Sequence, residues 1–115
     1  MKVSELARLI EAKSLTPEVT EDKDVKCGYT CDLLSWVMAH GAEGMAWTTV
    51  QIHMNVIAVA VLAEMACVIL PESIEMPQES LKKAAEEGLA VLQSPLTAFA
   101  ICGRMAAAGI PDKAE

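Results

Sequence analysis

A chain of 115 residues that is 53% hydrophobic but only 3% aromatic fits one globular domain with an aliphatic core, and excludes a disordered chain. Its 16 acidic and 9 basic residues give a formal net charge of −7. With no basic run present, this disfavours a nucleic-acid partner or an anionic membrane surface, since both are held by clustered Lys and Arg.

The N-terminal stretch MKVSELARLI is amphipathic, with Glu5 and Arg8 inside it, and lacks the apolar core of a secretory signal. A cytoplasmic location is the default expectation. The four cysteines, Cys27, Cys31, Cys67 and Cys102, are then expected to be reduced thiols. Cys67 and Cys102 lie in apolar segments and read as core residues. Cys27 and Cys31, with His40 and His53, are the only set suggesting a metal or redox site, and no second pair of zinc-site spacing accompanies them. No metal and no cofactor are expected.

Val3, Leu6, Ala7 and Ile10 share a face at helical spacing, which predicts a helix over Val3–Ala12 with Ser4 as its start. Ser14–Asp24 is acidic and poor in apolar residues, and reads as a surface loop with a short strand near Leu15. Val25–Thr30 reads as a strand. Asp32 is placed to cap a short helix over Leu33–Met38, which ends at His40-Gly41. After the turn Glu43-Gly44, Met45–Val50 is the next strand.

The stretch Trp47–Pro71, WTTVQIHMNVIAVAVLAEMACVILP, is the most informative part of the chain. It reads as strand, polar turn, apolar helix, strand, with Asn55 capping a helix over Val56–Met65 and Pro71 ending a strand over Ala66–Leu70. A helix without a polar face is expected to be buried on every side. Glu64 interrupts the apolar run, which falls short of the ~20 uncharged residues of a membrane span, so no membrane association is expected. Pro77 opens an amphipathic helix over Gln78–Glu87 closed by Gly88, and Leu89–Leu92 is a strand. Ser94-Pro95 predicts the start of a last helix, with Leu96, Phe99, Ala100 and Gly103 on its inner face and Gly109 and Pro111 at its end. Asp112–Glu115 reads as a flexible tail to a single domain over residues 1–111.

Helices alternating with strands predict a three-layer α/β fold, a mostly parallel sheet of four or five strands with helices on both faces. Ligands of such sheets sit beyond the carboxyl ends of the strands, and here those ends run into helix N-termini, which favour an anion. The candidate ligand-binding residues are therefore Asp32, Gln51, His53, Asn55, Ser94 and Thr97. Asp32, Asn55 and Ser94 are equally read as helix caps, and His53 as a hydrogen-bonding surface residue. Trp36 and Trp47 are expected to pack on the sheet or on a partner subunit. Signatures of P-loop, dinucleotide, serine-hydrolase and zinc-protease sites are absent, so no catalytic residue is expected.

Three segments together resemble the DRTGG domain family. Asp32–Met38 is similar to its short helix after the first core strand, Ala46–Asn55 to its strand and ligand-edge turn, and Ser94–Phe99 to its final helix start. The family's frequent Thr-Gly-Gly after the central strand is Pro71-Glu72-Ser73 here, and its acidic and basic turn is Gln51–Asn55. The resemblance implies a fold like the N-terminal, non-catalytic domain of HPr kinase/phosphorylase, a regulatory role without kinase chemistry, and an association with hydrogenase systems in some stand-alone members. The expectation is a non-enzymatic domain that binds a small anionic metabolite and signals through a homodimer or through a protein partner in a regulatory or redox system. Two alternatives stand beside it, an assembly subunit without ligand and a Cys/His redox or metal sensor.

Overall fold

In the computed structural model, which describes residues 1–114, a five-stranded sheet of order β1-β5-β4-β3-β2 forms the centre. The strands are β1 (Lys13–Ser14), β2 (Cys27–Thr30), β3 (Met45–Thr48), β4 (Cys67–Leu70) and β5 (Ala90–Gln93). Strands β2 to β5 are mutually parallel, and β1 closes the β5 edge antiparallel, with Lys13 opposite Gln93. The helices are α1 (Val3–Leu9), α2 (Leu34–His40), α3 (Met54–Leu62), α4 (Gln78–Glu86) and α5 (Ala98–Ala107). The expected α/β fold and parallel sheet are observed, and the strand expected near Leu15 is β1.

Strand alternation divides the core into two layers. Trp47, Val68, Leu70 and Val91 face Val37 of α2, Val56, Ile57 and Ala60 of α3, and Leu81 and Ala84 of α4. Ala46, Cys67, Ile69 and Leu92 face Val3 and Leu6 of α1 and Ile101 and Met105 of α5. Strand β4 is buried throughout, as a parallel strand covered on both faces must be. Trp47 is fully buried, and its indole N–H donates to the Cys31 carbonyl at 2.9 Å, which satisfies the one polar atom of that side chain.

Several local readings are corrected. Helix α3 is not buried on every side: Ala58 and Leu62 lie on an uncovered face, and Leu62 is 77% exposed. Its sequence lacks a polar face because α2 and α4 flank it, not because a further layer covers it. Helix α1 starts after Lys2, whose N–H donates to Glu5 at 3.0 Å, whereas Ser4 binds the Asp22 carboxylate. Phe99 of α5 is 90% exposed and Gly103 is exposed, so the inner face is carried by Ile101 and Met105 instead. Trp36 is half exposed and stacks on His40, with centroids 4.5 Å apart. Gly88 closes α4 at φ +71°, in the left-handed region expected of it. Of the expected tail, Asp112–Ala114 are exposed, and Glu115 lies outside the described residues.

All four thiols are free, with Cys27 and Cys67 buried and Cys31 and Cys102 half-buried. Burial pushes the Cys67 thiol from 9.0 up to about 12. The unfolded chain therefore loses this proton first. Cys67 costs nothing below pH ~9, and stability falls as pH rises from there towards the folded value, by about 1.4 kcal/mol per pH unit. Denaturant titrations from pH 8 to 11 should show that slope reduced in Cys67→Ala, and native thiol titration should leave Cys27 and Cys67 unmodified.

Candidate functional site

The loops that leave β2 and β3 are tied together by one carboxylate. Asp32 Oδ1 accepts from the Thr49 hydroxyl at 2.8 Å and from the Val50 N–H at 2.9 Å. The Thr49 hydroxyl in turn accepts from the Gln51 N–H at 3.2 Å, and Gln51 Nε2 donates to the Asp32 carbonyl at 3.1 Å. Thr49 N–H also donates to Ile69, which carries the tie on to β4. Asp32 is thus not a helix cap. Leu33 occupies the cap position of α2 and makes no side-chain cap bond. Asp32 is a clamp that sets the path of the turn Thr49–His53.

This turn delivers His53 and Asn55 to the surface, both exposed. Asn55 is not the cap of α3 but lies inside its first turn, with His53 at the cap position and no side-chain cap bond. The Val56 N–H turns back to the His53 carbonyl at 2.9 Å, which leaves the N–H groups of Met54 and Asn55 to solvent or a ligand, at the electropositive end of the helix.

The end of β5 is built differently. Ser94 is not a helix cap either. Its buried hydroxyl donates to the Ile10 carbonyl at 2.6 Å and accepts the Leu96 N–H, which locks the end of α1 to the sheet. Thr97 caps α5 by accepting from Ala100 at 3.1 Å. Asp32, Gln51, His53 and Asn55 are thus brought together at the ends of β2 and β3, while Ser94 and Thr97 lie beyond β5, with β4 between.

Between them runs the loop after β4, in which Glu72 and Ser73 both adopt φ +56°. Such a left-handed pair costs non-glycine residues on the order of 1 kcal/mol each. It is held by the Glu72 and Ser73 N–H groups, which donate to the Leu96 and Ser94 carbonyls, and by Gln93 Nε2, which reaches the Ser73 and Ile74 carbonyls. Gln93 is a structural residue of this edge that sequence reading missed, because its partners lie 19 and 20 positions away.

The electrostatics of the edge are acidic. The loops 31–33, 49–53, 71–77 and 94–97 contain Asp32, Glu72 and Glu75 but no Lys or Arg. Lys13 of β1 pairs with Gln93 in strand register. Among the described residues, no group of three or more His, Cys, Asp and Glu is arranged to hold a metal ion. No helix among them is long and apolar enough to cross a membrane.

Replacing Asp32 by Ala removes the acceptor of two hydrogen bonds and leaves the Thr49 hydroxyl and Val50 N–H to find water. Equilibrium denaturation should show a loss of about 1–3 kcal/mol, as expected for bonds to a charged acceptor.

No protein-family model matches the sequence, and no curated protein matches it. Among solved structures, the fold is similar to the CBS and DRTGG domains of the regulatory region of a Clostridium perfringens pyrophosphatase, solved with its activator, diadenosine tetraphosphate. The TM-score is 0.71 at 9% sequence identity, and the match covers 96% of this chain and 47% of that one. The chain thus spans about half the length of that structure. At this identity the likeness concerns the fold, and with the sheet order and helix placement above it gives this chain a DRTGG-like α/β fold.

Proposed function

We propose that the chain is a non-enzymatic regulatory module that senses a small ligand at the shelf formed by Asp32, Gln51, His53 and Asn55. The observation that carries this reading is the uncapped start of α3 set beside the Asp32 clamp. Free N–H groups there suit one anionic group, and the second Asp32 carboxylate oxygen suits a donor on the same ligand. The similarity to a regulatory region bound to a nucleotide activator supports a sensing role. The chemistry at this edge differs from that of a polyphosphate site, since the strand-end loops hold carboxylates and no Lys or Arg. A single carboxylate or phosphate carrying an amine or hydroxyl is the better match.

Thermal-shift and calorimetric titration with amino acids, hydroxy acids, sugar monophosphates and nucleoside monophosphates tests this, with diadenosine tetraphosphate as comparison. A monoanionic binder at 100 times its Kd should stabilise the fold by about 2.7 kcal/mol. His53→Ala and Asn55→Ala, both at exposed positions, should weaken it at least tenfold. A panel without a binder, or binding indifferent to both substitutions, defeats the reading.

A second reading, self-association, has its own observation. Leu33 and Trp36, three residues apart at the start of α2, are each more than half exposed, and Val50 of the neighbouring turn and Met54 at the start of α3 are also solvent-facing. Apolar residues grouped in this way mark interaction surfaces. Sedimentation at micromolar concentration should find a dimer that Trp36→Glu converts to monomer, whereas a monomeric unmodified chain removes this reading.

A further inference from the structure

A cavity of about 360 Å³ opens on the other face of the sheet, between the edge strand β2 and α5. Its floor is Gly28, Thr30 and Thr48, and its wall is Cys102, Met105 and Ile110. Thr30 and Thr48 are partners in strand register and stand side by side on this face. The Thr30 hydroxyl is already used, lying 2.8 Å from Cys102 Sγ. The Thr48 hydroxyl is not. The residue is 1% exposed and lines the cavity, yet its Oγ1 has no hydrogen-bond partner among the described residues. A buried hydroxyl without a partner is costly, and native folds seldom retain one without an occupant.

Gly28 makes the space possible, because a Cβ there would meet Met105 Cε at 2.9 Å and force that side chain to move. Ala106, Pro111 and Tyr29 complete the lining, and Asp112 places a negative charge there. Methyl and methylene groups would line the body of an occupant, one hydroxyl would meet its head, and Asp112 would repel an anion.

We propose that this cavity is a second binding site, separate from the strand-end shelf, for a small uncharged molecule with an aliphatic body and a single hydroxyl or amide head bonded to Thr48. Its volume lies in the range of small-molecule sites, and its composition, mostly apolar with one fixed polar group, is the usual one.

The full chain, labelled at its Met and Ile methyl groups, is titrated with cyclopentanol and with cyclopentane. Cyclopentanol should shift the Met105 and Ile110 methyl signals saturably at millimolar concentration and slow alkylation of Cys102 in a Cys31→Ser background. Thr48→Val should weaken cyclopentanol about tenfold, the ratio expected for one hydrogen bond, while leaving the cyclopentane response unchanged. Ala106→Phe, at an exposed helix position on the cavity wall, should abolish both. Absence of saturable shifts, which would leave only water in the cavity, overturns the proposal. So does equal cyclopentanol binding by Thr48→Val or Ala106→Phe.

Discussion

Everything in this molecule follows from a parallel sheet that must be dry on both faces. Parallel strands need crossovers, and here every crossover helix from β2 to β5 falls on one side. The opposite face is covered by the two terminal helices, α1 and α5. With both faces used for burial, polar chemistry is left to the strand ends and to gaps between helices and sheet edge. The low aromatic content is compatible with this because small aliphatic side chains interdigitate at the short spacing between helix and sheet. Trp47 is the exception and needs the Cys31 carbonyl to be buried at all.

The same winding shapes the site. Strands β2 to β5 follow one another across the sheet in chain order. The reversal of strand order that opens a crevice in doubly wound folds therefore does not occur among them. What stands at the carboxyl edge is instead a shelf built by loop contacts. Asp32 fixes one half of it, and Gln93 with the left-handed Glu72-Ser73 pair fixes the other. The left-handed pair follows β4 directly, after Pro71. The backbone path is one that glycine adopts freely, and here two side chains are carried through it by non-local hydrogen bonds. Glu72 and Ser73 thereby add charge and polarity to the edge at a conformational cost.

Much of this was legible in the sequence because it is local. The amphipathic α4, with Leu81 and Ala84 inward and its lysines and glutamates outward, needs only periodicity. Gly88 and the buried β4 are read the same way. What failed was non-local. Asp32 and Ser94 have the side chains of helix caps, but their partners lie 17 and 84 residues away, and those contacts won. The exposed face of α3 carries no polar mark, since sequence pattern reports which faces can be buried and not which are covered. The unpartnered Thr48 is invisible in sequence, as it depends on how α5 sits over β2. Asp32 and Gln51 do meet at the ends of β2 and β3, as two strand ends side by side require, while the bonds each side chain makes needed the fold.

The central claim is that the shelf at the ends of β2 and β3 is a receptor surface rather than a set of loop contacts alone. Backbone amide mapping by NMR, with an amino-acid or monophosphate binder added to the full chain, tests it most directly. The account predicts the largest shifts at Gln51, His53, Met54 and Asn55, with the free N–H groups of α3 moving downfield. Shifts confined to other surfaces, or none at the start of α3, would contradict it.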